Sequence, residues 1–598
     1  MTAHSGQPGP ARARPTGVKS GVLGPPAGLS GTLVRMTRSG GTRARAAVAA
    51  VVALLALSAC SVTPPPPLVP STPGMTVVPK EKLNEIVVGV DEVKGSYNPH
   101  TTAGQSTVTT ALSSLLLPST FRNDTDGSPR MDRDLLVGAE VTRAEPYTVT
   151  YTIRRDASWS DSAPIAAEDF VYLWERMREE PGVVDPAGYR LISDITSREG
   201  GKVVEVVFSA PYPGWRSLFA DLLPAHLLKD APGGWAAALT DSFPATAGPF
   251  AVRTLDQPRG EIVLERNDRF WAQPTALDRV VLRRASQHET VEALKNGDDQ
   301  VALIRADAIA LKDIGELGRT TPLTTVAVPR PEVVQVLARP AAPQLADVRV
   351  RQAVFNALNR DELIAIGSRS GPGSTLRADS QVVPPTGAGY RPTYQPNPTP
   401  VAQLLTEAGY ALRDGQWERD GKQLALTIAA PAGVEPYVTV ASQVQRQLSL
   451  SGIAGRVLTT PPDQLFGRDL STPATTNADV VDIAVVPRVD TGDSAATLAS
   501  AFGCRTSSGG TGTPIPGNPT GFCDQSVQTT IEDALTGRVL LSDALARVEP
   551  VLWQQAVALP LFQVADLLVV LPQAQNVTAG APFAGPLSEA ATWRREGR

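Results

Sequence analysis

The chain is poor in the residues from which catalytic and metal sites are usually built. Among 598 residues there are 4 His, 3 Cys and 5 Met, and aromatics make up 5%. The histidines are scattered singly, with no His/Cys cluster at metal-ligand spacing, so neither a metal nor a cofactor is expected. No Gly-x-Ser-x-Gly elbow, His-Glu-x-x-His, Cys-x-x-Cys or phosphate loop occurs, and the chain is not expected to be an enzyme. It also lacks an apolar run of the roughly 20 residues that a membrane-spanning helix needs.

What is present begins at the N-terminus. Arg43 and Arg45 precede an uncharged stretch of twelve residues, Ala46 to Leu57, which leads into Leu57-Ser58-Ala59-Cys60. A positive segment, a short apolar core and small residues before a cysteine read as a signal peptide ending in a lipobox. Residues 1–59 are expected to be removed and Cys60 to carry the lipid attachment, on the extracytoplasmic face of the cell membrane. Residues 1–35 show no periodicity, and a start at Met36 leaves a signal of 24 residues. Residues 1–59 hold seven basic side chains and no acid, so without them the formal charge goes from −5 to −12. An exported protein this acidic is a poor partner for nucleic acid or anionic headgroups, and its membrane contact is expected from the lipid. Residues 60–83 hold the anchor and "SVTPPPPLVPSTPGMTVVPKEK", a polyproline-II tether of roughly 60 Å. Cys504 and Cys523 are left as an even pair in an oxidising compartment. They bracket a Gly/Pro-rich loop that a disulfide closes, worth about 3 kcal/mol; metal binding is the other reading, and no His lies near.

Gly and Pro total 103 residues, which implies many turns. "NEIVVGVDE" reads as a short buried strand, and "YTVTYTIRR" puts Tyr147, Val149, Tyr151 and Ile153 on one strand face. "KVVEVVFSAP", "EIVLERN" and "RVVLRRA" are further strands. Val350, Ala353, Val354, Ala357 and Leu358 form a helical stripe, and Asn359 with Glu362 suggests a cap for a second helix. Val438, Ala441, Val444 and Leu448 repeat at helical spacing, and Gly409 suits a helix end. These elements interleave without repeat: the fold class is α/β with mixed sheets. The stretch "WSDSAPIAAEDFVYLW" (159–174) concentrates acids and aromatics, yet reads as framework. Strand gives way to a turn at Asp161 and Ser162, and Phe170, Leu173, Trp174 and Met177 share a helix face. Glu168 and Asp169 fall in the helix's first turn, where carboxylates meet the positive end of its dipole.

That stretch also carries a resemblance. Trp-Ser-Asp, a proline, and Ala-x-Asp-Phe opening a helix look like the signature of the peptide/nickel-type (family 5) extracytoplasmic solute-binding proteins of ABC transporters. "YNPH", "AGPFAVRTL", "IVLERNDRFW", "LADVRVRQAVFNALNRDELI", "LLTEAGY", "GKQLALTI" and "PLFQVADLLVV" resemble further motifs of that family, in its order. Trp159, Trp174 and Trp271 are then packing residues. "PGVVDPAGYRLI", "PYPGWRSLFADLLPAH" and "GFCDQS" resemble a mycobacterial lipoprotein subgroup described as binding a monoacyl phosphatidylinositol tetramannoside. That subgroup is linked to lipoarabinomannan assembly.

The resemblance implies a two-lobed, periplasmic-binding-protein-like clamp with an extra inserted lobe. The first main lobe is expected over 84–287, with the inserted lobe at about 111–189, the second over 288–555, and 556–598 returning to the first. It implies a monomer that holds a glycolipid or an oligopeptide, with an ABC permease or a membrane mannosyltransferase as partner. Tyr97, Asn98 and His100 follow the first strand, in a loop that lines the cleft in this family. Tyr212 and Trp215 offer rings to stack on a sugar or to pack in the core. Peptide binders of the family grip an amino group with an aspartate after a Gly-Trp pair; Asp490 or Asp493 matches, but Pro487 and Arg488 replace Gly-Trp. That departure weakens the case for peptide, and both aspartates also suit the cap of a helix starting near Ser494.

Overall fold

A computed structural model describes residues 83–93, 95–470, 480–504 and 517–596. The expected signal, Cys60 and most of the tether lie outside them. No helix among the described residues is long and apolar enough to cross a membrane.

Among the described residues, ten strands make one mixed sheet. From one edge its order is Ala454–Thr460, Ala425–Pro431, Ile483–Val489, Thr324–Ala338 and Ala558–Val570. It continues through Val301–Ile304, Glu85–Val90, Arg279–Arg284, Glu261–Arg266 and Phe250–Asp256. Helices cover it in separate groups. Gln287–Asn296 and Ala308–Leu317 pack on Ala302, Ile304 and Val569. Val348–Asn356, Arg360–Ser368, Val401–Glu407 and Tyr437–Leu450 pack on Val334, Val336, Ile428 and Val485. The opposite face of that half meets Ser494–Phe502, Gln525–Leu535 and Leu541–Gln555. The fold is a mixed α/β clamp with two lobes and an inserted lobe.

Thr324–Ala338 and Ala558–Val570 run antiparallel through both halves of the sheet. Every residue of Ala558–Val570 is buried, which explains its nearly unbroken apolar sequence. Their ladder shifts register twice, between Val334↔Phe562 and Gln335↔Pro560 and, more widely, between Pro329↔Ala565 and Val333↔Gln563, where Arg330, Pro331 and Glu332 are left out of the pairing. There Arg330 forks onto Asp566 (Nε–Oδ2 2.8 Å, Nη2–Oδ1 2.7 Å), and Thr107 Oγ1 donates to the same carboxylate at 2.7 Å. Tyr437 donates its hydroxyl to Glu332 at 3.1 Å. The crossing between lobes is thus a bulge held by buried, charge-assisted hydrogen bonds.

Val301–Leu303 pairs in parallel with Val88–Val90, and the strand register of Thr324–Ala338 is interrupted at Arg330–Glu332. A separate four-stranded sheet runs Leu136–Ala144, Tyr147–Ile153, Val203–Phe208, Ile192–Arg198, in which Tyr147–Ile153 takes its second neighbour from Val203–Phe208. In the last segment, only the second half of Ala558–Val570 pairs with the first lobe; its start pairs with Val333–Leu337.

The 159–174 stretch is framework. Asp169 is buried and takes N–H groups from Ala166 (3.0 Å), Ala225 (2.9 Å) and the Trp159 indole (3.3 Å). It caps the helix Ala167–Glu179 and ties a second one to it. Asn359 caps Arg360–Ser368 through Glu362 N at 3.1 Å. The Glu362 carboxylate, though, reaches Gln443 and Gln447 on the neighbouring helix instead of closing a capping box.

Asp566→Ala strands the Arg330 guanidinium in the bulge. Removing one partner of a buried pair typically costs about 3–5 kcal/mol, so urea unfolding should show a loss of that order; a loss under about 1 kcal/mol contradicts this account of the crossing.

Candidate functional site

A cavity of about 690 Å³ lies between the lobes. One wall is the loop at Pro99 and His100, the polar face of Thr107–Leu116, Tyr212–Gly214 and Arg216–Leu218. Facing it are Pro331 and the turn Val489–Ser494, which joins the strand Ile483–Val489 to the helix Ser494–Phe502. The turn sits there because Ile483–Val489 is anchored along Glu332–Ala338, with Asp490 N donating to Pro331 O at 2.8 Å.

Four of the expected residues line this cavity. His100 sits with Nε2 2.9 Å from the Asp221 carbonyl, which only accepts, so Nε2 carries the proton. Burial holds its pKa below the usual 6.5, leaving a neutral ring. Tyr212 donates its hydroxyl to Asp493 Oδ2 at 2.6 Å, closing one side of the cleft. The other oxygen of Asp493 caps Ser494–Phe502 through Ala495 N (3.0 Å) and Ala496 N (3.1 Å), so this carboxylate is already occupied. Asp490 is buried at the cavity wall, its Oδ1 2.7 Å from Gly492 N. Burial raises its pKa against that hydrogen bond. The cap therefore belongs to Asp493, and Asp490 is left as the carboxylate at the cleft.

Tyr97 and Trp215 are core residues with no place on the cavity wall. Tyr97 is fully buried beside Phe243, and Trp215 makes edge contacts with Phe121 and Tyr151 beneath the Arg216 guanidinium, 4.2 Å away. Asn98 is buried too and serves the loop, its Oδ1 accepting from His100 N at 3.1 Å. Cys504 and Cys523 are bonded to each other, joining the end of Ser494–Phe502 to the start of Gln525–Leu535. No group of three or more His, Cys, Asp or Glu among the described residues is placed to hold a metal ion.

Sequence reasoning missed Asp185. Its Oδ2 accepts from Thr497 Oγ1 (2.6 Å) and Thr491 Oγ1 (3.0 Å), bridging the inserted lobe to the second lobe. Burial, helped by the negative charges of Asp490 and Asp493, pushes its pKa up to about 7. Its only sequence signal was an aspartate before a proline, a common turn pair. Gly214 is the other missed residue: a Cβ there overlaps the Asp493 carboxylate and lies 2.8 Å from the Tyr212 hydroxyl oxygen.

Opposed lobes with a polar cleft between them, crossed by two strands, define a solute-binding clamp. Residues 139–507 match the family model for bacterial extracellular solute-binding proteins, family 5, and the chain belongs to that family. It is 35% identical to the probable monoacyl phosphatidylinositol tetramannoside-binding protein LpqW of Mycobacterium tuberculosis, across 88% of this chain and 94% of that one. It is 26% identical to the oligopeptide-binding protein OppA of Mycobacterium bovis, across 54% of this chain and 56% of that one. Among solved structures it is similar to the oligopeptide-binding protein AppA from Bacillus subtilis in complex with a nonapeptide. The TM-score is 0.66 at 17% identity, over 86% of this chain and 99% of that one.

Two outcomes follow from the bridges. Asp185 binds a proton in the folded chain up to about pH 7 but only to about 3.8 when unfolded. Folding takes up that proton in between, so its contribution to stability declines as pH rises from about 4 to 7 and is level above. Thermal melts of Asp185→Asn should lose this part of the slope and sit roughly 1–3 °C above the parent at pH 8 relative to pH 5; parallel profiles refute it. Gly214→Ala should destabilise by about 1–3 kcal/mol through overpacking, and Tyr212→Phe in the same background should recover part of the loss.

Proposed function

We propose that this protein is a cell-surface lipoprotein, anchored through Cys60, whose cleft binds a glycolipid such as a monoacyl phosphatidylinositol mannoside. Its role on this reading lies in cell-envelope lipoglycan (lipoarabinomannan) assembly. The observation that carries the reading is the 35% identity to LpqW over nearly the whole of both chains. The cleft is compatible with it: about 690 Å³ falls within the range of small-molecule sites, and its walls mix hydroxyls, carboxylates and arginines. Replacement of Gly-Trp by Pro487-Arg488 speaks for a ligand other than the peptides of the wider family.

A second reading, an oligopeptide-binding component of an ABC importer, is favoured by one observation: the buried Asp490 carboxylate at the cleft wall. In either case the protein acts as a monomer. An ABC permease is the expected partner for an importer, and a membrane mannosyltransferase for a regulator without a transport role.

The detergent-purified mature protein, melted with mannosylated inositol lipids and separately with oligopeptides, distinguishes them. A ligand at 100 times its Kd adds about 2.7 kcal/mol to stability, so the true class should raise Tm and the other should not. Stabilisation by peptides alone overturns the glycolipid assignment. Mass spectrometry of the same protein should find acyl chains on Cys60.

A further inference from the structure

Residues 182–190 lie between the two walls of the cleft and are bonded to both, in different ways. On one side they join the loop after the first strand through backbone alone. Val184 N donates to His100 O at 2.9 Å, Thr102 N donates to Gly182 O at 2.8 Å, and Thr101 forms a β-bridge with Val183. On the other side they meet the helix Ser494–Phe502 and its cap, and there the contacts run through side chains. Asp185 Oδ2 accepts from Thr497 Oγ1 at 2.6 Å, and Ala187 N donates to Ser500 Oγ at 3.1 Å. Gly188 leaves room for Tyr212, the donor to Asp493: a Cβ at 188 would stand 2.5 Å from the Tyr212 hydroxyl oxygen. Asp493, Thr497 and Ser500 are four and three positions apart, so all three fall on one face of the helix. The seam is a single polar stripe.

The two edges differ in what parting them takes. A chamber of about 110 Å³ lies along the helix edge, with Thr102 and 181–185 on one side and Phe466, Thr497 and Ser500 among the residues on the other. Contacts around unfilled space forgo the dispersion of a packed core, and hydroxyl and carboxylate groups exchange each other for water at small net cost. Parting the other edge breaks a β-bridge and bares the backbone of a loop whose Asn98 and His100 are buried. The helix edge is the one that yields. Val184, Asp185 and Tyr189 line the cleft, as do Asp490, Asp493 and Ala496, so a solute filling the cleft adjoins both sides of the seam.

We propose that residues 182–190 are a strap that stays with the His100 loop, docks on Ser494–Phe502 as the clamp closes, and leaves that helix as it opens. This names the regulation of the cleft, and it rests on the reading of the cleft as a solute site, whichever solute it takes. The strength of the seam sets the closed fraction of the ligand-free protein, and apparent affinity for the solute scales with that fraction.

Spin labels on Ser197→Cys and Thr529→Cys, exposed positions on either side of the seam, read the distance across it by double electron–electron resonance in the detergent-purified mature protein. Thr497→Val with Ser500→Ala removes two rungs at nearly constant volume. In the ligand-free protein it should raise the ratio of long to short distances about fivefold or more. If that pair does not fold, Ser500→Ala alone should move the ratio in the same direction. An unchanged distribution in both variants, or a shift toward the short distance, overturns the strap. Mannosylated inositol lipids or oligopeptides, whichever class raises Tm, should gather the parent at the short distance and bind the double variant more weakly. A shifted ratio with no binding of either class leaves the strap standing and defeats the proposed function. Glycolipid binding with identical distances in parent and variants does the reverse.

Discussion

The fork of Arg330 onto Asp566 is the contact on which the clamp's geometry turns. It sits where two long strands lose register between Pro329 and Val333, the wider of the two shifts in their ladder. Residues N-terminal to that bulge pair with the strands of the first lobe, and residues beyond it with the strands of the second. A carboxylate 1% exposed needs its charge and hydrogen bonds satisfied, and Arg330 and Thr107 supply both from opposite sides of the crossing. The cleft follows from this arrangement, because Pro331 of the bulge also receives the N–H of Asp490.

The cleft walls are built by framework rather than by ligand chemistry. The cap of Ser494–Phe502 places Asp493 against Tyr212, and the glycine at 214 leaves room for that contact. Asp185 adds a bridge from the inserted lobe through Thr491 and Thr497. Asp185 lies near Asp490 and Asp493, and burial first and those charges second hold its carboxyl above the usual range. Asp490, whose Oδ1 meets only the Gly492 N–H, remains as a carboxylate at the cleft wall.

Much of the fold is legible in the residue pattern. The alternation in Tyr147–Ile153, the stripe through Val350, Ala353 and Val354, and the left-handed Gly409 all stand where periodicity and turn chemistry put them. The framework role of Asp169 was readable for the same reason, since a cap is a local contact. Strand neighbours were not readable. That Val301–Ile304 lies beside Glu85–Val90 depends on a pairing more than two hundred positions apart. Which strand borders Tyr147–Ile153 on its second side likewise depends on distant residues, Val203–Phe208.

The site divides along the same line. Sequence alone determined much of the strand and helix content, and its motifs the class of the chain; that His100 and Asp490 or Asp493 lie near a cleft was implied by the family resemblance. Periodicity and turn chemistry are properties of short windows, where spacing dictates which side of an element a residue occupies. Only the tertiary structure decided that Tyr97 and Trp215 turn inward and that Asp185 crosses between lobes. Burial and hydrogen-bond completion depend on every element packed around a side chain, and no local pattern encodes that sum.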